Sequence, residues 1–60
     1  MNELKLSVKD NPFVIIGRVK MYMAENNVEG TDQFVRAALG EDTRGVIEIA
    51  RQWIPTLVSD

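Results

Sequence analysis

Cysteine and histidine are both missing from this 60-residue chain, and each absence closes a class of chemistry. Without cysteine there is no disulfide, no thiolate metal ligand and no thiol nucleophile. Without histidine there is no imidazole base, and a zinc ion would have only carboxylates to hold it, an uncommon structural arrangement. A membrane-spanning helix needs about 20 apolar residues in a row, and here the run Phe13 to Ile16 is cut short by Gly17 and Arg18. No segment joins a basic start, an apolar middle and a small-residue cleavage site. The expected setting is therefore the cytoplasm. Aromatics are few as well, with two Phe, one Tyr and one Trp.

A surplus of positive charge is also lacking. Seven basic residues face nine acidic ones, for a formal charge of −2. Phosphate contacts supply most non-specific affinity for nucleic acid and need a basic face. Here the cations are scattered, and Glu25, Glu29, Asp32, Glu41 and Asp42 make the middle acidic. A domain this short buries roughly 60% of the surface its unfolded chain exposes, so it relies on a well-packed core or on a partner chain.

What is present reads as a strand, three helices and a short extended tail, in a single domain over residues 1–60. Leu4, Leu6 and Val8 alternate with Lys5, Ser7 and Lys9, the period of a half-buried strand. Asp10 or Asn11 is placed to cap a helix that opens at Pro12, where a missing N–H costs nothing. That helix is expected to end near Asn26 or Asn27. Thr31 is the expected N-cap of a second helix carrying Phe34, Val35, Ala38 and Leu39 and stopping at Gly40. Asp42 or Thr43 caps a third, whose apolar stripe of Val46, Ile49, Ala50 and Trp53, widened by Ile47 and Ile54, runs until Pro55. The predicted fold class is mainly α: a three-helix domain with a short N-terminal strand. The strand, residues 4 to 8, is expected to pair with the tail at 56 to 59, with the same strand of a second copy or with a partner protein, because a lone edge leaves backbone groups unpaired.

Gly17 interrupts the most apolar stretch of the chain. A glycine in a helix interior costs about 1 kcal/mol relative to alanine. The expected compensation is close approach, with Trp53 of the third helix packed against bare backbone at Gly17.

Catalytic candidates reduce to carboxylates, hydroxyls and lysines, and none forms a pair of acid and base at a useful spacing. Glu41 and Asp42 are adjacent, so they point in different directions on a helix. The reading is accordingly not an enzyme, with no cofactor and no metal. The stretch from Thr31 to Ile54 has the outline of a helix-turn-helix. Its recognition helix, however, would lead with Glu41 and Asp42, which repel phosphate. The candidate partner-binding residues are Leu4, Leu6 and Val8 of the strand, with Tyr22 as an aromatic anchor.

The stretch N-P-F-V-I-I-G-R-V resembles a pattern N-x-F-x-I-x-G-x-V found in small uncharacterised phage and prophage proteins, carried here by Asn11, Phe13, Ile15, Gly17 and Val19. Phe34, Gly40 and Trp53-Ile54 extend it, while Glu41 intervenes after Gly40 and Gln52 stands where the pattern has arginine. The resemblance implies a strand-then-helix architecture and a phage or mobile-element origin, and it brings no catalytic or ligand residues. The functional expectation is a small intracellular protein-binding factor that occupies a partner's surface, or self-associates as a homodimer. The alternatives are a helix-turn-helix-like DNA-binding regulator and a structural assembly component.

Overall fold

The computed structural model describes residues 3–60. Its elements run β1 (Lys5–Leu6), α1 (Pro12–Glu25), α2 (Thr31–Ala38), α3 (Thr43–Ala50) and β2 (Val58–Ser59). Each helix packs against the other two. The strands lie side by side and parallel, Lys5 opposite Val58 and Leu6 opposite Ser59. A parallel pair requires a crossover, and here the whole helical body supplies it. Of the three partners expected for the N-terminal strand, the chain's own tail pairs with it.

Local chemistry sets the helix limits. The Asn11 side chain accepts a hydrogen bond from the Phe13 N–H at 2.8 Å, and Pro12 takes the first helical position. α1 ends where both the backbone N–H and the side-chain amide of Asn26 donate to the Tyr22 carbonyl, after which Asn27 turns left-handed at φ 56°. The Asp42 carboxylate opens α3 by accepting from the Gly45 N–H at 2.8 Å.

The start of α2 differs from expectation. Gly30, at φ 100°, holds the N-cap position with no side chain to offer, and Thr31 is already helical. The Thr31 hydroxyl instead points at the Met23 sulfur, 4.0 Å away. α2 also stops at Ala38, and Leu39 is 55% exposed and not part of the packed side.

The core joins Leu4 and Leu6 to Ile15, Ile16, Val19 and Met23 of α1, Phe34 and Ala38 of α2, and Val46, Ile47 and Ala50 of α3, with Ile54 and Leu57 beyond. No polar or charged side chain is buried among the described residues. On α3 the buried set is Val46, Ile47 and Ala50, continued by Ile54, while Ile49 and Trp53 are only partly covered. The packed stripe is thus rotated toward Ile47 from the one predicted. The helix also ends before Trp53, in a turn where the Trp53 and Ile54 N–H groups both donate to the Ala50 carbonyl.

The expected close approach at Gly17 is overturned. Gly17 is exposed, and a Cβ built there meets nothing within 4 Å. Trp53 packs against a different glycine: a Cβ on Gly30 would lie 2.5 Å from the indole Nε1. The indole also meets Phe34 edge-on, with ring centroids 5.9 Å apart, a favourable aromatic geometry. Trp53 therefore closes the α2 end of the core. α1 is covered on one side only.

The strand is shorter than the predicted 4 to 8. Ser7 leads into a turn in which the Asp10 N–H donates to the Ser7 carbonyl at 3.1 Å. The Val8 N–H, free of any ladder, donates to the Asp60 carboxylate at 2.9 Å, and the Ser7 hydroxyl donates to the same group at 3.1 Å. The Val8 bond first, then the Ser7 bond, hold the Asp60 carboxyl below its ordinary pKa of 3.8. Arg51 fixes the tail from the other side, donating to the Leu57 carbonyl at 3.2 Å and to the Ser59 hydroxyl at 2.9 Å.

Candidate interaction surface

Four buried residues, Ile15, Ile16, Val19 and Met23, define the inward face of α1. At about 100° per residue, Gly17 lies on the outward side, and Phe13, Val14, Lys20, Met21 and Ala24 lie within roughly 60° of it. All but Lys20 are apolar, yet Phe13 is 71% exposed, Met21 65% and Val14 50%. Phe13 and Met21 stand one turn to either side of Gly17. Between them the backbone is bare and the space above it open.

The seam has charged borders. Lys20 lies on one flank, Arg18 and Glu25 on the other, all exposed. Among the described residues the one ion pair joins Glu48 to Arg51, and the Arg18 flank is of mixed charge, with Glu3 and Glu25 lining the same depression. On the Arg18 side the seam runs into a shallow depression of about 400 Å³ lined by Glu3, Leu4, Arg18, Met21, Tyr22 and Glu25.

The four residues proposed from sequence as partner contacts fall elsewhere. Leu4 and Leu6 are buried in the core, and Val8 and Tyr22 are half-buried against it. The reason is geometric: β1 uses its backbone to pair with β2 while its leucines turn inward under α1. Leu4 and Tyr22 nevertheless line the depression that adjoins the seam. Phe13, Val14 and Met21 were assigned no partner role from the sequence. Their signal was present, however, in a helix with two apolar faces and a glycine in one of them.

The residues that carry the phage-type resemblance divide in the same way. Asn11 caps α1, and Ile15 and Val19 enter the core, whereas Phe13 and Gly17 sit on the open face.

Other surfaces offer less. At the head of α3, Asp42 is engaged as a cap and the Thr43 hydroxyl donates to the Asp10 carbonyl. Both are therefore committed to the fold. No group of three or more acidic side chains among the described residues is arranged to hold a metal ion. No helix among them is long and apolar enough to cross a membrane. No family model, curated protein or solved structure matches the chain.

Proposed function

We propose that this protein is a small protein-binding factor that acts by occupying a surface of its partner through the outward face of α1, with no chemistry of its own. One observation carries the reading: Phe13, Val14 and Met21 are left in solvent along one helix face in a chain that otherwise sends most of its large apolar side chains inward. Adjacent exposed hydrophobes of this kind mark interaction sites more often than isolated ones do. The resemblance of residues 11 to 19 adds a phage or mobile-element origin, and the cysteine-free composition fits a cytoplasmic setting.

A photo-crosslinking amino acid placed at position 13 or 21, and at the exposed Gln52 as control, tests this in lysate of the source cells. The expected result is one discrete protein adduct from 13 and 21 and none from 52, with the purified pair losing binding on Phe13→Asp. Equal labelling from all three positions would remove the proposal.

A further inference from the structure

Going beyond the α1 reading, we infer that the outer edge of β1 is a self-pairing surface. The same edge of a second copy docks on it, antiparallel, about a two-fold axis at Leu4. The product is a four-stranded sheet shared by two copies, with β1 beside β1 at its centre and β2 at each margin. The pairing runs through backbone of β1 and needs nothing from Phe13, so it stands apart from the α1 contact proposed above.

The two outer edges of the ribbon are unlike. The Val58 N–H donates to the Leu4 carbonyl at 2.8 Å, and Lys5 stands in register with Val58. Backbone groups of successive strand residues point to opposite sides. Leu4 and Leu6 therefore turn theirs toward β2, while Lys5 and Leu57 turn theirs outward. Leu57 is closed off within the chain. Its N–H donates to the Ile54 carbonyl at 3.2 Å, and its carbonyl accepts from Arg51 at 3.2 Å. No described residue does the same for Lys5. A ribbon of two strands is marginal, and three or more strands over a hydrophobic face are the stable form.

A lysine on an edge ordinarily discourages pairing; here charge selects the register. Centred on Lys5, an antiparallel pair sets Lys5 against Lys5 of its copy. Centred on Leu6, it calls on the Ser7 carbonyl, which already accepts from the Asp10 N–H. Centred on Leu4, it sets Lys5 opposite Glu3 twice, and each pair exchanges two backbone hydrogen bonds with unlike charges across the strands. Glu3 and Lys5 are exposed and Leu4 is buried, so the charges meet on the wet face and leucine meets leucine on the other. The edge carries its own complement, and that is why the occupant is a second copy.

The neighbouring border agrees with this axis. Leu4 shares a depression with Met21 and Tyr22, between Arg18 and Glu25 of α1. Those two stand about 10 Å apart along the helix, with Met21 and Tyr22 at their midpoint. Reversed about an axis at Leu4, the border turns its cation toward its copy's carboxylate. The contact is shorter than a stable dimer needs, so association is weak and depends on concentration.

Sedimentation equilibrium and amide hydrogen exchange on the full chain, up to about 1 mM, test this. A dimer is expected, with protection of the Lys5 amide that rises with concentration. Glu3→Lys and Lys5→Glu, both at exposed positions, are each expected to weaken it roughly tenfold while circular dichroism stays helical. Mixed in equal amounts, the two variants are expected to pair with each other, since lysines of one then face glutamates of the other.

A monomer at every concentration would overturn the inference. So would a dimer indifferent to both reversals, or a mixture no more associated than its parts. A dimer lost on Phe13→Asp but kept in the charge variants would place self-association on α1 and equally remove it. Foreign crosslinks from position 13 bear on the α1 reading alone, and the two readings fail separately.

Discussion

Gly17 and Gly30 are the same residue type in opposite situations, and their substitution has opposite signs. A methyl group at Gly17 meets nothing within 4 Å and removes about 1 kcal/mol of helix penalty. Gly17→Ala is therefore expected to raise stability by about that amount in urea denaturation. At Gly30 the backbone is left-handed and the added carbon lands 2.5 Å from the Trp53 indole nitrogen. Gly30→Ala is expected to cost roughly 2 kcal/mol or more in the same assay, and two losses or two gains would contradict the placement of Trp53. The sequence offers more than one glycine against which the tryptophan could pack. It does not say which one. Gly17 lies in a helix and Gly30 in a connection, and only the path of the chain from α3 back to α2 decides between them.

At the scale of elements, the boundaries were the most legible part. Asn11-Pro12 and Asp42 are chemical start signals that depend on neighbours two or three residues away, so they survive without knowledge of the fold. Asn11→Ala and Asp42→Ala should each lower stability by about 1 kcal/mol, measurable as separate shifts of the thermal midpoint that add in the double variant. Faces were harder to read than ends. α1 carries apolar residues on both sides, so periodicity finds two candidate stripes, and the covered one is chosen by α2, α3 and β1. The same limit applies to the strand: Leu4, Leu6 and Val8 read as an edge open to partners, and only the fold shows that β1 pairs with β2 along one edge while Leu4 and Leu6 turn inward. The open stripe of Phe13, Val14 and Met21 was visible in the sequence as hydrophobic, but not as exposed.

On the scale of the molecule, the tail is a structural part of the fold. Leu57 is buried, and residues 57 to 60 bond to Leu4, Ser7, Val8 and Arg51. Losing a buried leucine costs about 2–5 kcal/mol, against a total of roughly 3–9 kcal/mol for a chain this size. Truncation after Pro55 is therefore expected to abolish the cooperative unfolding transition at 25 °C, or nearly so, as followed by circular dichroism. Asp60 adds a pH dependence. Its folded pKa lies below the ordinary 3.8, so its contribution is complete above that value and is lost as pH falls through the lower folded value. Between about pH 5 and about pH 3, the wild type should lose more stability than Asp60→Asn; equal losses would mean that the bonds to Ser7 and Val8 are not formed in solution.

The parallel pairing of β1 with β2 has a consequence for synthesis. Lys5 leaves the ribosome well before its partner Val58, with all three helices between them. The helices between them can dock on one another as each emerges, α2 on α1 and then α3 on both. β1 waits through the synthesis of three helices for its mate, and the nascent domain stays unfinished until β2 clears the exit tunnel.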